Sequence, residues 1–169
     1  LLETKRLLLR KYTEEDIPAL HKILSDPVTM SFWPKPFSEE QSLAWIARVL
    51  KSYNVHCFGR LKIILKESGE LIGDCGIVFD NTIDGIIEND LGYIIHHPHW
   101  RKGYASEAAN AVVSFAMGVL GIDRICANMA FNNIASIKTA KKTGMLKEKE
   151  FYNIRNRDIL TYLFSIKRN

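Results

Sequence analysis

The stretch from Trp100 to Ala108, W-R-K-G-Y-A-S-E-A, constrains this chain more than any other. It follows a strand-like run, Leu91-Gly92-Tyr93-Ile94-Ile95. It precedes a segment in which Ala105, Ala108, Ala109, Val112, Phe115, Ala116 and Val119 recur at helical spacing. A strand, a short loop with one glycine and a helix together make an inexpensive phosphate holder. The first amides of a helix lack intrahelical partners and sit at the positive end of its macrodipole. Gly103 leaves room for an anion against the backbone, and Arg101 and Lys102 add positive charge beside it. On these residues alone two readings stand: an anion cradle for a phosphorylated ligand, or an ordinary crossover helix with a basic start. Neither a G-x-x-x-x-G-K-[ST] loop nor a G-x-G-x-x-G fingerprint occurs anywhere in the chain.

The rest of the chain surrounds this stretch in a regular order. Glu3 to Tyr12 predicts an opening strand, and Thr13-x-x-Asp16 starts a helix carrying Ile17, Leu20, Ile23 and Leu24, stopped at Asp26-Pro27. Ser38-Glu39-Glu40-Gln41 is a capping box ahead of a second helix with Leu43, Ile46, Val49, Leu50 and Tyr53, in which Trp45 reads as core. Strands are predicted over 56–66 and 71–79, a polar turn over 81–85, and a central strand over 88–96. After the basic loop and its helix come a strand over 122–129 and a helix over 133–143 closed by Gly144. A hairpin over 148–154 and 159–166 ends the chain. This order predicts an α/β fold: a mixed, mostly antiparallel sheet of about seven strands flanked by about four helices, in one domain over 1–169.

Composition narrows the partners. A net charge of +4 suits a polyanionic cofactor, and no basic stripe with interleaved aromatics points to nucleic acid. No apolar run reaches membrane-spanning length and no signal segment opens the sequence, so no membrane partner is expected. Cys57, Cys75 and Cys126 each fall in a strand-like run and read as reduced thiols, which implies a cytoplasmic setting; Cys75 is the one plausible catalytic thiol. His96-His97-Pro98-His99 looks like a metal cluster. Yet adjacent strand histidines point apart and no carboxylate is spaced to join them, so no metal is expected; His96 is a weak alternative base. The aromatic, Pro-rich loop from Met30 to Phe37 reads either as a binding wall, with Phe32 and Trp33 facing substrate, or as a cap on the core. Glu88 and Asp90 lie two apart on one strand and point to one face.

The Trp100–Ala108 stretch resembles motif A of the GNAT acyltransferases, Q/R-x-x-G-x-G/A. Its W-x-K-G-Y-A-x-E-A form resembles the RimJ/RimL-like branch, which acetylates protein N-termini. Asn132-Asn133-Ile134-Ala135-Ser136 with Lys141-Lys142-Thr143-Gly144-Met145, and Asp90-Leu91-Gly92-Tyr93 upstream, are similar to that branch in the same order. The likeness runs from about Ile72 to Met145.

The resemblance implies an acetyl-CoA-dependent N-acetyltransferase that transfers an acetyl group to a primary amine by direct attack, preferably to a protein or peptide α-amine. Small amines such as polyamines, aminoglycosides or amino-acid derivatives are the alternative acceptors; a non-catalytic acyl-CoA sensor is the rival from another class. It implies that the backbone at Ile94 and Ile95 pairs with pantetheine and that the segment Arg101, Lys102, Gly103, Tyr104, Ala105 and Ser106 holds the pyrophosphate. Asn133 and Ser136 would bind further along the cofactor. Asp90, with Glu88 beside it, would be the general base, and Ser136 the group facing the departing sulfur. Phe32, Trp33 and Tyr93 would line the acceptor groove. Trp100 stands where the general motif has Gln or Arg, and Ala140 where many members place a proton-donating Tyr. A monomer or homodimer is implied.

Overall fold

The computed structural model describes residues 1–168. Eight strands form one sheet: β1 (Leu2–Glu3), β2 (Leu7–Arg10), β3 (Arg60–Leu65), β4 (Leu71–Ile83), β5 (Ile86–Ile95), β6 (Arg124–Ala130), β7 (Leu146–Asn153) and β8 (Ile159–Lys167). Their spatial order is β1-β2-β3-β4-β5-β6-β8-β7, antiparallel throughout except for β5 beside β6. Four α-helices complete the fold: α1 (Ile17–Leu24), α2 (Glu39–His56), α3 (Tyr104–Gly118) and α4 (Ile134–Lys142). The mixed α/β architecture is the expected one.

Each sheet face buries a separate cluster. On one face α3 lays Ala108, Ala109, Val112 and Ala116 against Leu7, Ile63, Ile77, Leu91 and Ile125. The small side chains of α3 let the helix approach the sheet closely while the strands supply the bulk. On the other face α1 and α2 bury Leu20, Ile23, Leu24, Trp45, Ile46 and Val49 over Tyr12 and Ile94.

The local signals that start and stop helices hold. Ser38 Oγ accepts from the Gln41 N–H at 3.2 Å, and Gln41 Oε1 accepts from the Ser38 N–H at 2.9 Å, closing the capping box. Gly144 adopts φ 83° beyond α4.

Several boundaries move. The opening strand is two strands, which raises the count to eight. Between them the chain bends because Thr4 Oγ1 and the Arg6 N–H both donate to Glu107 of α3, at 2.6 and 2.9 Å. The expected turn over 81–85 shrinks to Asp84-Gly85, with φ 47° and 77°, a two-residue hairpin turn of the kind Asp-Gly favours. Asn81 and Thr82 instead prolong β4 beyond a bulge after Val78. Cys57 lies in no strand: α2 runs on to His56, and Cys57 follows it exposed at φ 59°. The final hairpin begins two residues early, at Leu146.

Candidate active site

The loop into α3 is shaped by two left-handed residues. Arg101 has φ 63° and Gly103, the residue capping α3, has φ 80°. Left-handed backbone is ordinary for glycine and uncommon for arginine, and such conformations gather at ligand clamps. Among the described residues no protein acceptor meets the backbone N–H groups from Arg101 to Ser106. The segment's Lys102 carbonyl is drawn away by Arg6 Nη1 at 2.8 Å, and the Arg6 guanidinium lies 4.5 Å over the Tyr104 ring. The result is a run of free donors at a helix start, with carbonyl oxygen turned elsewhere. Tyr104 itself is buried, and Trp100 takes a role of its own: its Nε1 donates to the Ile95 carbonyl at 2.7 Å, tying the loop to the end of β5.

Beside this loop the sheet opens. β5 and β6 share a single register pair, Asp90 with Cys126, and then part. The residues expected to meet the cofactor's arm flank that gap. Asn133 caps α4, its Oδ1 accepting from the Ser136 N–H at 3.2 Å. Ser136 Oγ donates to Tyr93 Oη at 3.1 Å, and Tyr93 Oη donates to the Ser136 carbonyl at 2.8 Å. Burial pushes the Tyr93 phenol above its ordinary range, so it stays protonated.

Asp90 occupies the point where the strands diverge. Asn81 Nδ2 donates to it at 2.9 Å, and Asn128 Nδ2 reaches both its oxygens at 3.2 Å. The bulge in β4 is what brings Asn81 onto this carboxylate, as bulges beside active sites do. Burial pushes the Asp90 carboxyl up to about 6, against the pull of the Asn81 and Asn128 hydrogen bonds and of Arg60. Glu88 has a different setting. Arg124 grips it through Nη2 at 2.8 Å and Nε at 3.0 Å, and it lines a separate shallow depression with Asp123 and Arg124.

One cavity of about 1170 Å³ takes in Asp90, Tyr93, Asn133 and Ser136, running from the α2 face of the sheet into the gap. Asp90, Tyr93, Ile94, Asn133 and Ser136 line its floor. Phe32 and Trp33 line its outer wall, where Trp33, Phe37 and Trp45 pack edge to face at 5.6–5.8 Å. Trp33 and Phe37 also pack on the α1–α2 core, so the loop is both wall and cap.

Two features escaped the sequence reading. Arg60 and Asp74, on adjacent strands, form a buried ion pair beneath the cavity floor, and Tyr12 Oη donates to Asp74 at 2.9 Å. Burial and that pairing push the Tyr12 hydroxyl well above its ordinary range. The signal lay in charged residues set inside apolar strand runs, R-L-K-I-I-L and I-G-D-C-G, where a buried charge needs a partner. Asp26, from the loop after α1, joins the histidines: its Oδ2 meets His97 Nδ1 at 2.8 Å and accepts from Thr29 Oγ1 and N–H at 2.5 and 2.7 Å. The expectation that no carboxylate would reach this cluster therefore fails, and Asp26, His96 and His97 form one group. The histidines leave the strand for a single 3-10 turn at His97–His99, so strand alternation does not govern them. Burial works against ionisation of Asp26, but the Thr29 and His97 hydrogen bonds bring its carboxyl down to about 2. Cys75, in contrast, is wholly buried, and burial pushes its thiol up; it does not reach the cavity.

Comparison with known proteins decides the family. The acetyltransferase (GNAT) domain model matches residues 6–146. The chain belongs to the GNAT acetyltransferase family. An uncharacterised N-acetyltransferase of Bacillus licheniformis, p20, is 32% identical over 98% of this chain and 94% of its own. A GNAT-family acetyltransferase structure from Bacillus anthracis superposes with a TM-score of 0.82 at 26% identity, covering 98% and 97% of the two chains. A ribosomal-protein-S5-alanine acetyltransferase from Vibrio fischeri shares the fold at 18% identity, with a TM-score of 0.81 over 99% and 96%. GNAT acetyltransferases use acetyl-CoA, and this chain is an acyltransferase of that family. The free amides from Arg101 to Ser106 and the gap between β5 and β6 fit such a ligand, offering donors to its phosphates and an open strand edge to its amide-bearing arm. No helix among the described residues is long and apolar enough to cross a membrane.

Proposed function

We propose that this GNAT acetyltransferase acetylates an α-amino group, preferably at a protein or peptide N-terminus, in the manner of the RimJ/RimL-like branch. One observation carries the reading: Asp90, with its carboxyl raised to about 6, opens on the same cavity as Ser136 at the mouth of the sheet gap. An α-ammonium group titrates near ~7.7–8.0 and a lysine or polyamine nitrogen near ~10.4. A base of about 6 is matched far better to the first than to the second.

Bound acetyl-CoA supplies the thioester carbonyl and the sulfur that departs. Asp90 accepts the proton of the incoming ammonium, directly or through one water, and its two asparagine donors fix the carboxylate plane. Ser136 Oγ lines the gap with its proton given to Tyr93 Oη, while Tyr93 Oη donates to the Ser136 carbonyl; when acetyl-CoA is bound, the Ser136 hydroxyl turns from Tyr93 to meet the departing sulfur. This pair stands in for the tyrosine missing at position 140. Arg101 to Ser106 hold phosphate through backbone N–H groups, so the identity of those side chains matters less than their φ angles. Glu88 stays with Arg124 as a strut between β5 and β6 and takes no part in proton transfer.

The test is thiol release from acetyl-CoA against peptides with free N-termini, polyamines, aminoglycosides and amino acids, beside a thermal-shift titration with acetyl-CoA. Turnover on peptide α-amines, lost in Asp90→Asn, is expected. Turnover confined to polyamines or aminoglycosides would move the enzyme to the small-amine class, and stabilisation without turnover on any amine would favour the sensor.

A further inference from the structure

The acceptor half of the cavity carries more positive charge than transfer requires. Its charged lining consists of Arg48, Lys51, Arg60 and Arg155 against Asp84 and Asp90. Arg60 is neutralised by Asp74 behind it, and Asp84 by Lys149 at 2.7 Å. That leaves three cations facing the single carboxylate assigned to the reaction. Arg48 and Lys51 lie about one turn apart on the exposed side of α2, and Arg155 lies in the turn between β7 and β8. Among the described residues none of the three has a carboxylate within ion-pair distance. Arg155 is held at the rim by a hydrogen bond from Nη1 to the Thr82 carbonyl at 3.3 Å. Its neighbour Asn156 donates to the Phe32 carbonyl at 2.8 Å, which ties this turn to the aromatic loop. The acidic residues that would suit a polycation are elsewhere: Glu39 and Glu40 do not line the cavity, and Glu88 is held by Arg124. Between the cations the walls are apolar, with Trp33, Phe79, Tyr152 and Ile154.

Resting on the acetyl-transfer reading above, we infer that the acceptor is an anionic amine, one whose reacting amino group is accompanied by carboxylate or phosphate groups that meet Arg48, Lys51 and Arg155. Arginine presents a planar fork matched to both kinds of oxyanion. Uncompensated like charge at the entrance repels polyamines and aminoglycosides, so the same three residues select for one acceptor and against another. An acidic peptide N-terminus and a small carboxylated or phosphorylated amine share this chemistry. The apolar walls and the size of the cavity favour the peptide.

The experiment is thiol release with acetyl-CoA on peptides of equal length and identical first residue, whose next positions are acidic, neutral or basic. Glutamate, O-phosphoserine and spermidine serve as small amines. Acidic peptides are expected to exceed neutral ones by about tenfold in kcat/KM, and basic ones by more, with the gap shrinking as salt rises. The double variant Arg48→Glu/Lys51→Glu, and separately Arg155→Glu, should erase or invert that order through KM, while Lys167→Glu, outside the cavity lining, should leave it intact. A higher rate on glutamate or O-phosphoserine than on the acidic peptide would assign the small-molecule source. Equal rates on acidic and basic peptides, or a preference untouched by the charge reversals, would overturn the inference while leaving the transferase standing. If no amine turns over, the transfer reading falls, and the charge reading is then decided by binding. N-acetylated acidic and basic peptides titrated against tryptophan fluorescence should differ by about tenfold in Kd, and equal Kd values would overturn it.

Discussion

The cofactor loop and the acceptor cavity are built on opposite plans. In the cofactor loop, six consecutive residues from Arg101 to Ser106 present backbone N–H groups outside the cavity lining, and the geometry follows from two left-handed φ angles and one helix start. At the acceptor end, the lining comes from the loop after α1, from α2, from the β4–β5 turn and from the β7–β8 turn, four segments far apart in the chain. The first end depends on local backbone and tolerates side-chain change; the second depends on tertiary packing and is written in side chains. Substitutions should therefore fail differently at the two ends, and Asp90, where they meet, should fail worst.

Asp90→Asn tests that meeting point and has the largest expected effect. Removing a positioned general base costs about 10²–10⁴ in kcat. Acetyl-CoA affinity should stay within about twofold, because the backbone cradle is untouched. In the wild type, kcat/KM should rise with pH through about 6 as the carboxylate forms. The stability consequence has the opposite sense. The folded carboxyl titrates above its unfolded value of about 3.8–3.9, so the native state binds more protons between that value and about 6. Stability falls as pH rises through this window. Asp90→Asn should remove the penalty and raise the melting temperature at pH 8, by an amount on the order of 1–3 kcal/mol. A pH–rate profile flat between 5 and 7 would separate Asp90 from proton transfer, and an asparagine variant less stable at pH 8 would mean that burial does not raise its carboxyl.

Gly92→Ala probes the acceptor end, where side chains govern. Gly92 sits on β5 opposite Gly76, and a Cβ there would collide with Arg60 Nη1. Arg60 cannot yield, because it is buried, bound to Asp74 and lies 5.0 Å beneath the Trp45 ring. Breaking a buried ion pair costs about 3–5 kcal/mol, and partial displacement about 2–3 kcal/mol. Chemical denaturation should show this loss together with a weakened acceptor KM. A loss below about 0.5 kcal/mol would mean that the network is soft.

What the chain disclosed in advance divides along the same line. Gly103, the Ser38–Gln41 capping box, Gly144 and the strand–loop–helix around Trp100 were legible because each is a local signature spanning a few residues. The split of the opening strand was not, because it depends on Glu107, a hundred positions away, drawing Thr4 and Arg6 toward α3. The divergent settings of Glu88 and Asp90 were equally hidden. Alternation puts both on one face, but only the bulge after Val78 and the position of Arg124 give one an ion pair and the other a place in the cavity. The cationic rim was invisible for the same reason: Arg155 reaches the cavity through a turn anchored on Phe32. Cys75 and Cys126 lie in strands as their runs predict, whereas Cys57 marks the end of α2, where left-handed backbone overrides its apolar neighbours.

The smallest expected effect belongs to the cofactor end. Gly103→Ala places a Cβ 3.4 Å from Arg6 Nη2, ordinary contact, so steric exclusion is minor. The cost comes from φ 80°, which L-residues rarely adopt and which is worth about 1–2 kcal/mol for a non-glycine residue. That strain should appear as a modest loss of stability and as about a tenfold weaker Kd for acetyl-CoA, as the loop relaxes and the amides of Tyr104 and Ala105 lose their aim. The acceptor KM should not change. Replacing Lys102 by Ala, in contrast, should weaken acetyl-CoA by only a few-fold, and more at low salt, because an exposed lysine adds screened charge rather than geometry. If Lys102→Ala proved the more damaging of the two, the phosphates would be held chiefly by side chains, and the cofactor loop and the acceptor cavity would share one plan after all.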